Sequence, residues 1–107
     1  MIFIAANVIA CAAEETGAES APLCRLLLDA VGEGRLNART SASVVEEVWH
    51  LQLRGRPRLK PLTAQKALTL FAPVLPVTHE IVRQALALDV KGLGSDDRIH
   101  VATCRPA

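Results

Sequence analysis

The 107-residue chain has no CxxC pair, no excess of either charge, and no apolar run near the ~20 residues that a membrane span needs. Its three cysteines, Cys11, Cys24 and Cys104, are odd in number and widely spaced. That pattern suits neither a disulfide framework nor a zinc site and makes a reducing cytoplasm the simpler home. Twelve Lys and Arg against eleven Asp and Glu leave a formal charge of +1 and a pI of 7.8. Domains that coat nucleic acid by bulk charge usually have a pI above about 9, so any contact with nucleic acid must be local. Met1 to Ala13 is apolar except for Asn7 and contains a run of small residues, but no Lys or Arg precedes the apolar stretch, which argues against an export signal. Half of the residues are hydrophobic, which excludes disorder, and the length suits one core, so a single domain over residues 1–107 is expected.

Met1-Ile2-Phe3-Ile4 is a continuous apolar run, as expected of a strand buried on both faces. Leu23, Leu26, Leu27, Ala30 and Val31 recur at helical spacing, with Ser20 as an N-cap, Pro22 in the first turn and Gly32 or Gly34 as a stop. Residues 37–41 form a short strand at best. Ser41 or Ser43 then caps a helix carrying Val44, Val45, Val48, Trp49 and Leu51, which Gly55 and Pro57 end. The stretch from Arg54 to Pro61 is basic and broken by Gly and Pro, and reads as a surface loop. Ala64, Ala67, Leu68 and Phe71 mark a further helix, and Val74-Leu75-Pro76-Val77 a second apolar run. Thr78 caps a helix with Ile81, Val82, Ala85 and Leu86 on one face. Ser95 caps the last helix, whose first turn holds Asp96 and Asp97, and the chain closes at Arg105-Pro106-Ala107. Strands near 2–5, 38–41 and 74–77, separated by helices, predict an α/β fold with a parallel sheet.

Four blocks carry a family resemblance in order and spacing: Met1 to Ile9, Thr40 to Val48, Leu75 to Thr78, and Asp97 to Thr103. Together they resemble a PIN domain of the VapC toxin type. The resemblance implies a three-layer α/β/α sandwich around a central parallel sheet, with a C-terminal strand missing here. It also implies a metal-dependent endoribonuclease whose acids gather at one end of the sheet around Mg²⁺ or Mn²⁺. Hard cations take oxygen ligands, and magnesium keeps several waters beside one or two carboxylates. Such ions polarise a phosphoryl oxygen and lower the pKa of an attacking water.

The resemblance puts its first acid, in an Asp-x-Asn-Val pattern, at Ala5, where a methyl group cannot coordinate a cation. Asn7 matches the Asn of that pattern and is a candidate cap for the following helix. The second acid falls on Glu47, while Glu46 points about 100° away on the helix. The third falls on Asp97, which opens an Asp-x-x-His-x-Ala pattern, with Asp96 as an accessory ligand. Taken without the resemblance, Glu47 is an ordinary helical Glu, and Asp96 and Asp97 are the acids a helix start favours. His100, one turn after Asp97, is a group to orient that carboxylate or touch substrate, or a hydrogen-bonded helix residue. The fourth acid should lie about twenty residues beyond the His block, past Ala107.

Arg54, Arg56, Arg58 and Lys60 have the charge to contact RNA phosphates, although most such runs are simply solvated. Trp49 suits core packing or a partner interface better than base stacking. The resemblance further implies a homodimer, a VapB-like antitoxin as partner and RNA as substrate, with Mg²⁺ or Mn²⁺ binding weakened by Ala5. The competing expectation is a non-catalytic module that keeps the fold and binds antitoxin or RNA. A phosphoacceptor receiver domain, also α/β and of this length, needs acids straight after its first strand, and Ala5-Ala6-Asn7 supplies none.

Overall fold

Two backbone hydrogen bonds tie the N-terminal apolar run to the second strand, from Ile2 N–H to Asn37 C=O at 3.0 Å and from Ile4 N–H to Arg39 C=O at 2.9 Å. They belong to a computed structural model that describes residues 1–15 and 19–104. The closing Arg105-Pro106-Ala107 lies outside the described residues. Strands β1 (Ile2–Phe3) and β2 (Ala38–Arg39) pair in parallel, Ile2 opposite Ala38 and Phe3 opposite Arg39. Both are shorter than the expected 2–5 and 38–41. The third expected strand, 74–77, is reduced to one parallel bridge between Ser41 and Leu75. There Leu75 N–H donates to Thr40 C=O at 2.8 Å, and Ala42 N–H to Leu75 C=O at 2.9 Å. Pro73 and Pro76 bracket Leu75, and proline confines a segment to a sheet edge because it has no N–H to give.

Helices α1 (Ala6–Ala13), α2 (Ala21–Gly32), α3 (Ala42–Arg54), α4 (Thr63–Leu70), α5 (His79–Leu86) and α6 (Ser95–Cys104) make up most of the rest. The protein is a mixed α/β fold with a small parallel sheet. Ser41 accepts from Val44 N–H at 3.2 Å and Thr78 from Ile81 N–H at 3.2 Å, so both expected caps form. Gly55 ends α3 in the left-handed conformation, φ 75°, which glycine adopts without steric cost. Ser20 makes no capping bond, because its hydroxyl turns to Cys11 Sγ at 3.1 Å. Ser95 is the first residue of α6 rather than the residue before it, and Arg98 N–H reaches back to Gly94 C=O at 3.0 Å. Asn7 likewise sits inside α1, with Ala5 at the N-cap and no side-chain bond there.

The core joins Ile4, Ala6 and Ile9 to Ala38, Val44, Val48, Ala64, Ala67 and Phe71. Val44 and Val48, one turn apart on α3, are fully buried, each contributing about 1.5–3 kcal/mol from removal of apolar area from water. Four of these core positions are alanine, which lets α1 and α4 approach α3 closely. Thr40 and Ser41 are also fully buried, and both are satisfied: Thr40 Oγ1 donates to Ile4 C=O at 2.7 Å, and Ser41 caps α3. The Thr-Ser pair therefore joins β2 to β1 and launches α3. α1 packs on α2, α3 and α4, whereas α5 pairs with α6.

Some expected core positions are surface. Trp49 is 52% exposed, because a step of about 100° from Val48 carries it past the α4 contact. That removes the core-packing reading of Trp49. Leu68 lies outside the core for a similar reason: α4 buries its Ala64 and Ala67 side. Of the expected α5 face, Ala85 is buried, but Leu86 is 80% exposed, since α6 covers only part of so short a helix.

Candidate functional site

Parallel strands deliver their carboxyl ends to one side of a sheet, and ligand sites of open α/β folds sit outside those ends. Here β1 runs into Ala5 and α1, and β2 runs through Thr40-Ser41 into α3. Glu47 lies in the second turn of α3, next to the fully buried Val48, so it stands at the rim of the buried face and is half-buried. Glu46 is exposed. From α6, His100 brings Nε2 to 2.9 Å from Glu47 Oε1. The imidazole also lies against Phe3 of β1, the ring centroids 5.5 Å apart and tilted by 43°. Three elements thus meet around one carboxylate. His100 faces Glu47, not Asp97 as its one-turn spacing suggested.

Burial pushes the Glu47 carboxyl above the ordinary range of about 4.5. His100 opposes that rise, and the negative fields of Asp96 and then Asp97 add to it. Glu47, His100, Asp96 and Asp97 therefore share one electrostatic environment, with Asp96 weighing on Glu47 more than Asp97 does. Both aspartates are exposed on the first turn of α6. Two buried atoms at this site, Glu47 Oε1 and His100 Nδ1, have no well-aligned hydrogen bond among the described residues.

The sign of the Glu47 shift gives a stability prediction. Its charged form is the disfavoured one in the folded chain. The stabilisation is complete below the unfolded pKa and is lost as pH rises through the folded value. Glu47→Gln, neutral throughout, should raise Tm at about pH 8 and leave it unchanged below about pH 4. Thermal melts at the two pH values check this. A Tm loss at the higher value would mean that the His100 contact outweighs burial.

The basic segment lies elsewhere. It follows the far end of α3 and is pinned to the end of α1, with Glu15 N–H on Arg58 C=O at 2.9 Å and Lys60 N–H on Ala13 C=O at 2.8 Å. Arg58 pairs with Glu15 at 3.0 Å, and the Arg54 guanidinium bonds Arg56 C=O at 2.7 and 3.2 Å. These cations and the Glu47 carboxylate therefore stand at different places on the molecule. A groove of about 710 Å³ opens beside this loop, between α1, α2 and α4. Ile9, Ala12, Leu28, Ala67 and Phe71 contribute its apolar lining, and Arg25, Lys60 and Lys66 its cations. The apolar periodicity of each helix was readable in sequence, but the groove between three helices was not.

The PIN domain family model matches residues 4–106. The chain belongs to the PIN domain family. Among curated proteins and solved structures, none matches it. PIN domains are generally nuclease-like and typically use divalent metal ions. This PIN domain does not offer a ready set of donors for one. Position 5 presents a methyl group, the Glu47 oxygen lies against His100, and no group of three His, Cys, Asp or Glu among the described residues is placed to hold a metal ion. Among the described residues, no helix is long and apolar enough to cross a membrane.

Proposed function

We propose that this PIN domain is a VapC-type endoribonuclease toxin scaffold whose metal binding and RNA cleavage are impaired and whose capacity to bind an antitoxin persists. The observation that carries the reading is the site beyond the strand ends, where Glu47, Asp96 and Asp97 share a field and Ala5 stands where the resemblance calls for an acid. In a fully acidic set, Mg²⁺ or Mn²⁺ would supply an activated water and a polarised phosphate. Here the chain's own residues limit the negative charge: burial keeps Glu47 reluctant to ionise, and His100 offsets part of that cost. The incomplete donor set favours the second reading, a non-catalytic module of the same fold.

Partner binding draws on different features. The groove between α1, α2 and α4 suits a helix with an apolar stripe and acidic flanks, which its rim cations would meet. A basic side chain further along such a peptide would pair with the carboxylates at the strand ends, arginine best because its fork matches a carboxylate. Exposed Trp49 and Leu53, one turn apart on α3, and Leu23 and Leu26 on α2 are surfaces for a homodimer.

The test is calorimetric titration of a cognate VapB-like antitoxin peptide into the chain and into Ala5→Asp. Affinities within about tenfold of each other are expected, because buried apolar anchors dominate such contacts. Undetectable binding to the chain beside tight binding to Ala5→Asp would reject the module reading. A carboxylate at position 5 would then be the anchor.

A further inference from the structure

Cys11 lies in the second half of α1 and Cys24 is the fourth residue of α2. Three contacts bracket them. Cys11 Sγ is 3.1 Å from Ser20 Oγ. Cys24 N–H donates to Ser20 C=O at 3.1 Å, so Ser20 and Cys24 stand one above the other on the same face of α2. Arg25 Nε donates to Ala12 C=O at 3.1 Å, joining the residues that directly follow the two cysteines. Both thiols are free and half-buried, and Ser20 is a partner common to both cysteines, through its hydroxyl to Cys11 and its carbonyl to Cys24. Neither belongs to the site at the strand ends or lines the groove.

We propose that Cys11 and Cys24 form a dithiol site that closes into an intrachain disulfide by exchange with a small-molecule disulfide, fastening α1 to α2. One thiolate attacks a sulfur of the reagent and expels half of it as a thiolate. The second cysteine then displaces the other half, and the new S–S bond joins the two protein sulfurs. Two protein thiols and one disulfide become one protein disulfide and two small thiols, with both protons carried by the released thiols. Burial, then the neighbouring Cys11 thiol, hold the Cys24 thiol above its ordinary range. Cys104, on α6 and outside the packed pair α1 and α2, is the internal control.

The experiment incubates the chain and its Cys11→Ser, Cys24→Ser and Cys104→Ser variants with oxidised glutathione, followed by intact mass, peptide mapping and thermal melting. Cys104→Ser should lose two hydrogens, yield a linked peptide containing Cys11 and Cys24, and gain about 10 °C in Tm, reversed by dithiothreitol. Cys11→Ser and Cys24→Ser should instead retain glutathione on the surviving partner, which has no second sulfur to expel it. Two glutathione adducts or two free thiols on Cys104→Ser, or a bridge to Cys104 in the unmodified chain, would overturn the proposal. Should a serine variant fail to fold, phenylarsine oxide on the unmodified chain decides, because it bridges only paired thiols. Protection of Cys11 and Cys24 together from alkylation is expected, and protection of neither defeats the pairing.

Discussion

Ala5→Asp should convert a chain with little divalent-dependent RNA cleavage into one that cleaves at least about 100-fold faster, since even groups behind the metal ligands commonly change activity by 10–100-fold. A carboxylate at the end of β1 would add the charge that the strand-end site lacks, beside Glu47 and the two aspartates of α6. The same substitution acts on the fold in a separate way. Ala5 is the N-cap of α1 at φ −87° and ψ 166°, an extended conformation, and makes no capping bond. Aspartate there can accept from Asn7 N–H, or from Val8 N–H in place of the 3.2 Å bond that group makes to Ala5 C=O, and such a cap stabilises a helix by about 1 kcal/mol. A higher Tm alone is therefore no sign of a restored metal ligand. The decisive measurement is cleavage of single-stranded RNA with Mg²⁺ or Mn²⁺, abolished by chelation, for the chain, Ala5→Asp and Ala5→Asp with Glu47→Gln. Strong activity in the unmodified chain, lost on Glu47→Gln, would refute the impaired reading.

Phe71→Ala should cost about 3–5 kcal/mol, a large share of the about 5–15 kcal/mol that holds a domain of this size. Phe71 is 3% exposed, and its core neighbours are alanines and short aliphatic residues that cannot collapse into the space left by a ring. Its position after α4 also makes it part of the groove, so the loss opens the core from that side. Urea titration should show an earlier midpoint at an unchanged slope. Leu70→Ala, at 36% exposure, is the matched control and should lose less than half as much. Equal losses would place the centre of packing elsewhere.

Local signals in this sequence were legible where one residue acts on its own segment. Ser41, Thr78 and Gly55 cap or stop helices through bonds and angles confined to a turn, and the structure has each in place. Ser20 failed because a sulfur from another helix competed for its hydroxyl, and Asn7 because Ala5 took the cap position. Strand positions were readable from apolar runs, but their lengths depend on pairing with residues far along the chain. At the site, spacing put Asp97 and His100 one turn apart. It could not show that the ring crosses to Glu47, because that contact depends on how α6 lies across α3. Glu47 stood out through resemblance, whereas its raised carboxyl pKa comes from burial that no local pattern encodes.

The separation of the basic loop from Glu47 has a consequence for how the molecule responds to salt. Arg54 follows Glu47 by seven positions along α3, about 10 Å along the axis, which exceeds the screening length of about 8 Å at physiological ionic strength. None of the loop cations is among the causes of the Glu47 shift, in keeping with that distance. The two ends are thus electrically independent. Added salt would weaken any phosphate attraction at the exposed arginines, while the part of the Glu47 shift that comes from burial stays in place.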